Sequence, residues 1–226
     1  MANPELLGLL HEGVPAWNAW RRAHRAPRRP DLSGASLRGM ALAEANFTGV
    51  NLAGADLRGA ALSAATFHGA ILCDAHLDGA NLTEANFVGA LLVNAVLTGA
   101  LALQGNFGGA MLIGAMCWKT DLRKARLARA DLIRADLTGA LLLYADLTDA
   151  HLDGAHLASA DLRYSLLRNA VFREATLHGA DLREARVENA SFAHANLTHA
   201  DCTGADMSRA DLNGALFDAA DVRVLM

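Results

Sequence analysis

The chain has 226 residues, a formal net charge of −4 and 53% hydrophobic residues, with few aromatics among them. That length suits one large domain, or a quasi-one-dimensional array whose coils bury a shared core. No uninterrupted apolar run reaches the length of a transmembrane helix; Ala90 to Trp118 comes closest and is broken by Asn94, Gln104, Asn106 and repeated glycines.

The N-terminus, MANPELLGLLHEG, carries an acid where a secretory signal would carry basic residues, so the expectation is a soluble, cytoplasmic protein. Asn3 is placed to cap a helix with Pro4 and Glu5 in its first turn and an apolar face of Leu6, Leu7, Leu9 and Leu10, ending at Gly13. A second short helix is expected from Pro15 to about Arg25, with Trp17 and Trp20 on one side. The stiff basic connector Arg25-Ala-Pro-Arg-Arg-Pro30 follows. Residues 1–29 hold five arginines against Glu5 and Glu12, a formal +3, which leaves −7 for the remainder. A basic amphipathic start is compatible with membrane or nucleic-acid contact. The reading preferred here is a helical N-terminal cap over residues 1–29, with the tryptophans and leucines packed over the first coil near Leu32 and Leu37.

From residue 30 to 226 the sequence is written in blocks of five. Asp131 to Ala155 shows the pattern: DLIRA DLTGA LLLYA DLTDA HLDGA. A large apolar residue stands second and alanine fifth, and the frame runs unbroken from Leu32 to Val222. A period of five matches neither a continuous helix nor a continuous strand. It matches a short extended segment and a turn, repeated. The apolar residue and the alanine face inward, while the others face outward or make the corner. Sixteen blocks carry glycine fourth, as a corner with positive φ favours. Proline is absent after Pro30, in keeping with hydrogen bonding between stacked coils.

The blocks ADLTG (135–139), ADLRG (55–59), ANLTE (80–84) and ANFVG (85–89) resemble the pentapeptide-repeat family over nearly nine-tenths of the chain. The resemblance implies an all-β fold, a right-handed quadrilateral β-helix. Met40, Val50, Gly105, Thr120 and Ser165 depart from the inward alanine, and Ala102 from the central leucine. Four blocks per coil follows independently from the twenty-residue recurrence of Phe47, Phe67, Phe87 and Phe107, and of Phe172 and Phe192. About ten coils at ~4.8 Å make a rod near 45–50 Å long. Cys117 and Cys202 then point inward about four coils apart, on the order of 20 Å, too far to pair, and outward Cys73 reads as an inert surface thiol.

An interior filled from four sides leaves no pocket for catalysis. None of the nine histidines falls in a cluster with metal-ligand spacing, His194 and His199 sit at successive corners, and there is no nucleophile elbow, phosphate loop or dinucleotide fingerprint. The expectation is therefore a non-enzyme without cofactor, metal or small-molecule substrate, acting through its surface. One side stacks Asp161, Asp181, Asp201 and Asp221. The family resemblance implies a partner for such a column: some members are thought to imitate duplex DNA and bind DNA gyrase, giving quinolone resistance or self-protection. Arg163, Arg183 and Arg223 stand two residues from three of those carboxylates and oppose the mimicry, as does a basic belt of Lys119, Arg123, Lys124, Arg126, Arg129 and Arg134. DNA also carries one charge per ~1.7 Å, far denser than this column.

An alternative is a scaffold that docks another protein on an apolar band. Ile71, Leu91, Val93, Met111, Ile113 and Ile133 point outward on one side, and Val96, Leu101, Leu103, Met116, Trp118, Leu141 and Leu143 on neighbouring sides. Salt separates the two readings, since mimicry weakens steeply with it and apolar docking does not. At the C-terminus Phe217, Val222, Val224, Leu225 and Met226 form an uncovered apolar end, and the resemblance implies a homodimer through it. Direct binding of nucleic acid or membrane is not expected.

Overall fold

The computed structural model describes residues 2–24, 29–218 and 220. Two helices come first, α1 over Pro4–His11 and α2 over Val14–Ala23. The Asn3 side chain accepts the Glu5 N–H at 2.9 Å and so caps α1, while Pro4 occupies the first turn, where its missing N–H costs nothing. Gly13, at φ 106°, makes the break between the helices. α2 ends at Ala23, short of Arg25, which lies outside the described residues. Among the described residues no helix is long and apolar enough to cross a membrane.

From Asp31 onward the first residue of a block pairs in parallel with the residue twenty positions later: Asp31 with Asn51, Asn51 with Ile71, Ile71 with Leu91. Twenty residues are four blocks, so each coil has four sides. Face 1 contains the block beginning at residue 31, face 2 that at 36, face 3 that at 41 and face 4 that at 46. Each block closes in a four-residue turn, as where Ala35 N–H donates to the Leu32 carbonyl at 3.0 Å. The turn leaves one bridging residue per side, so the described residues contain no longer strand. Bonds between coils run both ways: Leu52 N–H donates to the Ile71 carbonyl at 2.7 Å, and Ile71 N–H to the Val50 carbonyl at 3.0 Å.

The second and fifth residues fill the interior almost without exception. Burying each leucine side chain contributes roughly 1.5–3 kcal/mol, so the stacked leucines carry much of the fold. On face 4 the rings of Phe47, Phe67, Phe87 and Phe107 stack at 5.2, 4.6 and 4.8 Å, and on face 1 Phe172 stacks on Phe192 at 4.9 Å. The exception at Gly105 has a steric reason: a Cβ there would lie 2.9 Å from the Phe107 ring and 3.0 Å from the Ala102 carbonyl oxygen. The polar substitutes for alanine bond to backbone, Thr120 Oγ1 donating to the Leu97 carbonyl at 2.8 Å and Ser165 Oγ to the Leu162 carbonyl at 2.6 Å.

The helices meet the open edge of the first coil with side chains that do the work of a preceding coil. Asn46 N–H donates to Asn18 Oδ1 at 2.8 Å, the Asn46 carbonyl accepts from Trp17 Nε1 at 2.9 Å, and the Thr48 carbonyl accepts from the Arg21 guanidinium. These backbone groups would otherwise be orphaned. The Trp17 ring, expected to pack over the first coil, is buried in the same core as Leu32 and Leu37 and lies 5.6 Å from Phe47, as the bottom member of the aromatic ladder.

The coil is less regular near its other end. Among the described residues the bridge from Arg186 to Asp206 is missing, and the corner at Arg209 lacks the positive φ of the other corners. Pairing resumes with Ser191 to Asp211 and Asn196 to Leu216.

Candidate interaction surface

Functional side chains on this rod are placed by block position. First and third residues stand on a face, and fourth residues project from an edge between two faces. Among the described residues sixteen glycines and twenty other residues make such corners at φ of about +50 to +80°. The fourth position thus carries chemistry as well as turns. Its long side chains lean along the rod: a Cβ on Gly139 would meet the Lys119 chain at 3.5 Å, and one on Gly154 the Arg134 chain at 3.6 Å.

Asp161, Asp181 and Asp201 stack on face 3 at one-coil intervals, and Asp221 lies outside the described residues. The column alternates with cations. Arg163 binds Asp161 through bonds of 2.8 Å from both Nε and the terminal nitrogen, and its Nε also lies 3.5 Å from Asp181. Arg183 repeats this with Asp181 at 2.6 Å and Asp201 at 3.4 Å. The Arg163 hydrogen bonds hold the Asp161 carboxyl below the usual carboxylate range against the opposing effect of partial burial. The result is a ladder of paired charges with little net field.

The apolar residues divide by exposure. Leu91, Val93, Ile113 and Ile133 on face 1 are half-buried, because neighbours in successive coils pack on one another, and only Met111 there stands out. The more exposed side chains lie on faces 2 and 3 and on the edges of face 3: Leu101 at 50%, Met116 at 47%, Trp118 at 45% and Tyr144 at 53%. Leu141, Tyr164 and Leu166 extend this patch, and the rings of Tyr144 and Tyr164 stack at 5.1 Å. The two tyrosines and Leu166 go unnoticed in a search for apolar outward residues in the band; corner position and the twenty-residue spacing of the tyrosines are the signals that reveal them.

The basic belt encircles one coil. Lys119, Lys124, Arg129 and Arg134 occupy its four consecutive corners, all exposed. Arg123 is bound to Asp121 at 2.8 and 2.7 Å, and Arg129 Nε lies 3.8 Å from Asp149. The Lys119 ammonium sits 4.4 Å from the centre of the Trp118 ring, a cation–π contact.

Other chemistry does not converge. Among the described residues no group of three or more His, Cys, Asp or Glu side chains is arranged to hold a metal. His178 Nδ1 lies 2.8 Å from Thr198 Oγ1 and the ring meets His199 edge-on at 5.1 Å. Cys117 is buried, and desolvation, helped by the Asp136 charge, pushes its thiol up to about 12. A cavity of about 550 Å3 lies between the helices and the first coil, lined by Glu5, Leu9, Trp20, His24 and Arg29 among others. It adjoins the sequence ends that flank residues 25–28, which are not described. The apolar C-terminal end is described only in part: Phe217 is half-buried and Leu216 exposed, while Val222, Val224, Leu225 and Met226 lie outside the described residues.

Comparison with known proteins follows the same division between fold and function. No functionally curated protein matches the chain. Among solved structures it is similar to HetL, a pentapeptide repeat protein involved in heterocyst differentiation regulation in the cyanobacterium Nostoc, with 28% identity over 99% of this chain and 95% of that one and a TM-score of 0.45. It is also similar to a trypsin-treated form of QnrB1, a plasmid-mediated fluoroquinolone resistance protein, with 22% identity, coverage of 81% and 89%, and a TM-score of 0.48. A pentapeptide repeat protein of the Arabidopsis thaliana thylakoid lumen shares 27% identity over 51% of this chain and 67% of its own, with a TM-score of 0.40. The profile of pentapeptide repeats matches in eight copies, over residues 31–69, 60–99, 90–129, 130–163, 150–189 and 188–223. With that match spanning the whole coiled region, the chain belongs to the pentapeptide-repeat family, whose fold is a right-handed quadrilateral β-helix.

Proposed function

We propose that this protein is a cytoplasmic, non-enzymatic protein-binding solenoid of about ten coils, closed at one end by its two helices and acting through its outer surface. The observation that carries the reading is the exposed run of Leu101, Met116, Trp118, Leu141 and Tyr144 at the middle of the rod. Exposed apolar side chains gathered in this way, with a tryptophan and a tyrosine among them, have the composition of an interface centre. A photo-crosslinking amino acid at position 118 tests it in cells of the source organism, with position 38, exposed on the same face and far from the patch, as control. Protein adducts at 118 that are lost in Leu101→Ser support the reading, and equal labelling at both positions sinks it.

The more specific reading is that the partner is DNA gyrase, engaged by partial DNA mimicry. Its support is the regular stacking of Asp161, Asp181 and Asp201 on one face; their pairing with Arg163 and Arg183 weighs against it. A supercoiling assay with purified gyrase, with and without a fluoroquinolone, decides the matter. Inhibition, or relief of drug-stabilised cleavage, that weakens steeply with salt supports mimicry, and no effect at tens of micromolar protein removes it. The C-terminal end around Phe217 is proposed to pair two copies, on the exposure of Leu216 beside it.

A further inference from the structure

The apolar patch and the basic belt intersect on face 3. Residues 119–126, Lys-Thr-Asp-Leu-Arg-Lys-Ala-Arg, cross that face and both of its edges at the middle of the patch. Asp121 pairs in the backbone with Leu101 on one side and Leu141 on the other, so apolar rungs flank this segment along the rod. Asp121 and Arg123 neutralise one another through their paired hydrogen bonds. Lys119, Lys124 and Arg126 remain, all exposed and, among the described residues, without a carboxylate partner.

Three cations with no carboxylate within 4 Å among the described residues lie among exposed apolar side chains of a chain whose net charge is −4, Arg126 having Asp146 as its bridge partner one coil away. Covering Leu101 and Leu141 with a purely apolar partner would desolvate these cations without supplying any counter-charge. A duplex nucleic acid would pair them and leave the leucines and Trp118 without apolar contacts. A segment offering both groups satisfies both halves of the surface. We propose that the patch binds an acidic protein segment, whose large apolar side chains seat against Leu101, Trp118, Leu141 and Tyr144 while its carboxylates meet Lys119, Lys124 and Arg126. This inference rests on the reading of the surface as a protein-docking face.

The probe is a displayed library of random peptides about sixteen residues long, panned against the full chain, with enriched peptides measured by fluorescence anisotropy. The expected peptides carry net negative charge and at least one aromatic residue or leucine. Their affinity falls about tenfold or more in the triple variant Lys119→Glu, Lys124→Glu, Arg126→Glu, and again as salt is raised. The corresponding triple glutamine variant, with thermal unfolding as a fold control, gives a smaller loss in the same direction. Enriched peptides without acidic excess, peptides that bind the charge variants as well as the parent, or no enrichment at all overturn the inference. In the first two cases, loss of binding in Leu101→Ser or Trp118→Ser leaves the protein-docking reading standing, whereas binding that ignores those changes also removes it for this patch. A fluorescent DNA of about twenty nucleotides, single- or double-stranded, that binds more tightly than any peptide through the same cations overturns the inference in favour of a nucleic acid.

Discussion

At the scale of single residues, the corners separate what a fold prefers from what it requires. Gly69 turns at φ 60° with nothing within 4 Å of where a Cβ would stand, so Gly69→Ala adds no clash and reads the backbone term alone. It is expected to cost about 1 kcal/mol. Glu174 holds the same conformation at φ 56° with a Cβ, and Glu174→Gly is expected to gain up to about 1 kcal/mol, less the entropy glycine loses on folding. Opposite shifts of the thermal midpoint check both. The carboxylates offer a second residue-scale test. Asp56 accepts two hydrogen bonds from the Arg58 guanidinium, at 2.8 and 2.7 Å, which with the Arg58 backbone N–H at 3.2 Å hold its pKa down to about 2. A depressed carboxylate pKa stabilises the fold above the unfolded value near 4. That contribution is lost as pH falls toward about 2. NMR titration of the Asp56 carboxyl carbon is expected to move upward in Arg58→Gln, and an unchanged midpoint would show that the pair does not set it.

At the scale of elements, the aromatic ladder and the helices act as one unit. Trp17 gives its ring to Phe47 and its Nε1–H to the Asn46 carbonyl. Trp17→Phe keeps most of the packing and leaves one carbonyl unpaired, at a cost of about 1–3 kcal/mol, whereas Trp17→Ala costs about 3–5 kcal/mol. Faster amide exchange is expected first at Asn46 and Thr48, the end of the coil that α2 serves. Higher along the ladder, Gly105→Ala would force a Cβ to within 2.9 Å of the Phe107 ring and is expected to cost about 1–3 kcal/mol. Phe107→Leu in the same chain is expected to restore part of it, and a double variant no better than the sum of its parts would show that the two positions do not share the space.

At the scale of the whole molecule, nearest-neighbour stacking makes each coil depend on the next, and the ends are where exposed apolar surface has to be met. The helices meet it at the start. Near the other end the missing Arg186 to Asp206 bridge and the exposed Leu216 mark a weaker stretch. Light scattering is expected to give a dimer mass that falls to a monomer in Phe217→Asp together with Leu216→Asp, while a monomer in the parent protein would end the pairing reading.

The sequence by itself determined the inward and outward assignment of nearly every residue from Leu32 to Met207, because a strict five-residue frame admits one alternation. It also determined the four-sided coil, since the spacing of Phe47, Phe67, Phe87 and Phe107 is the spacing of the bridges. Asp161 and Arg163 were legible as neighbours for the same reason, being two residues apart on one side. Only the tertiary structure decided how exposed an outward residue is. Ile113 and Trp118 are both third in their blocks, yet Ile113 is half-buried and Trp118 stands well out. Only the structure, too, joined Trp17 to Phe47 and put Lys119 over Trp118, because these contacts depend on the approach of helix to coil and on side-chain direction at a corner. A one-dimensional frame fixes which way a side chain points; the area left open around it depends on neighbours a full coil away.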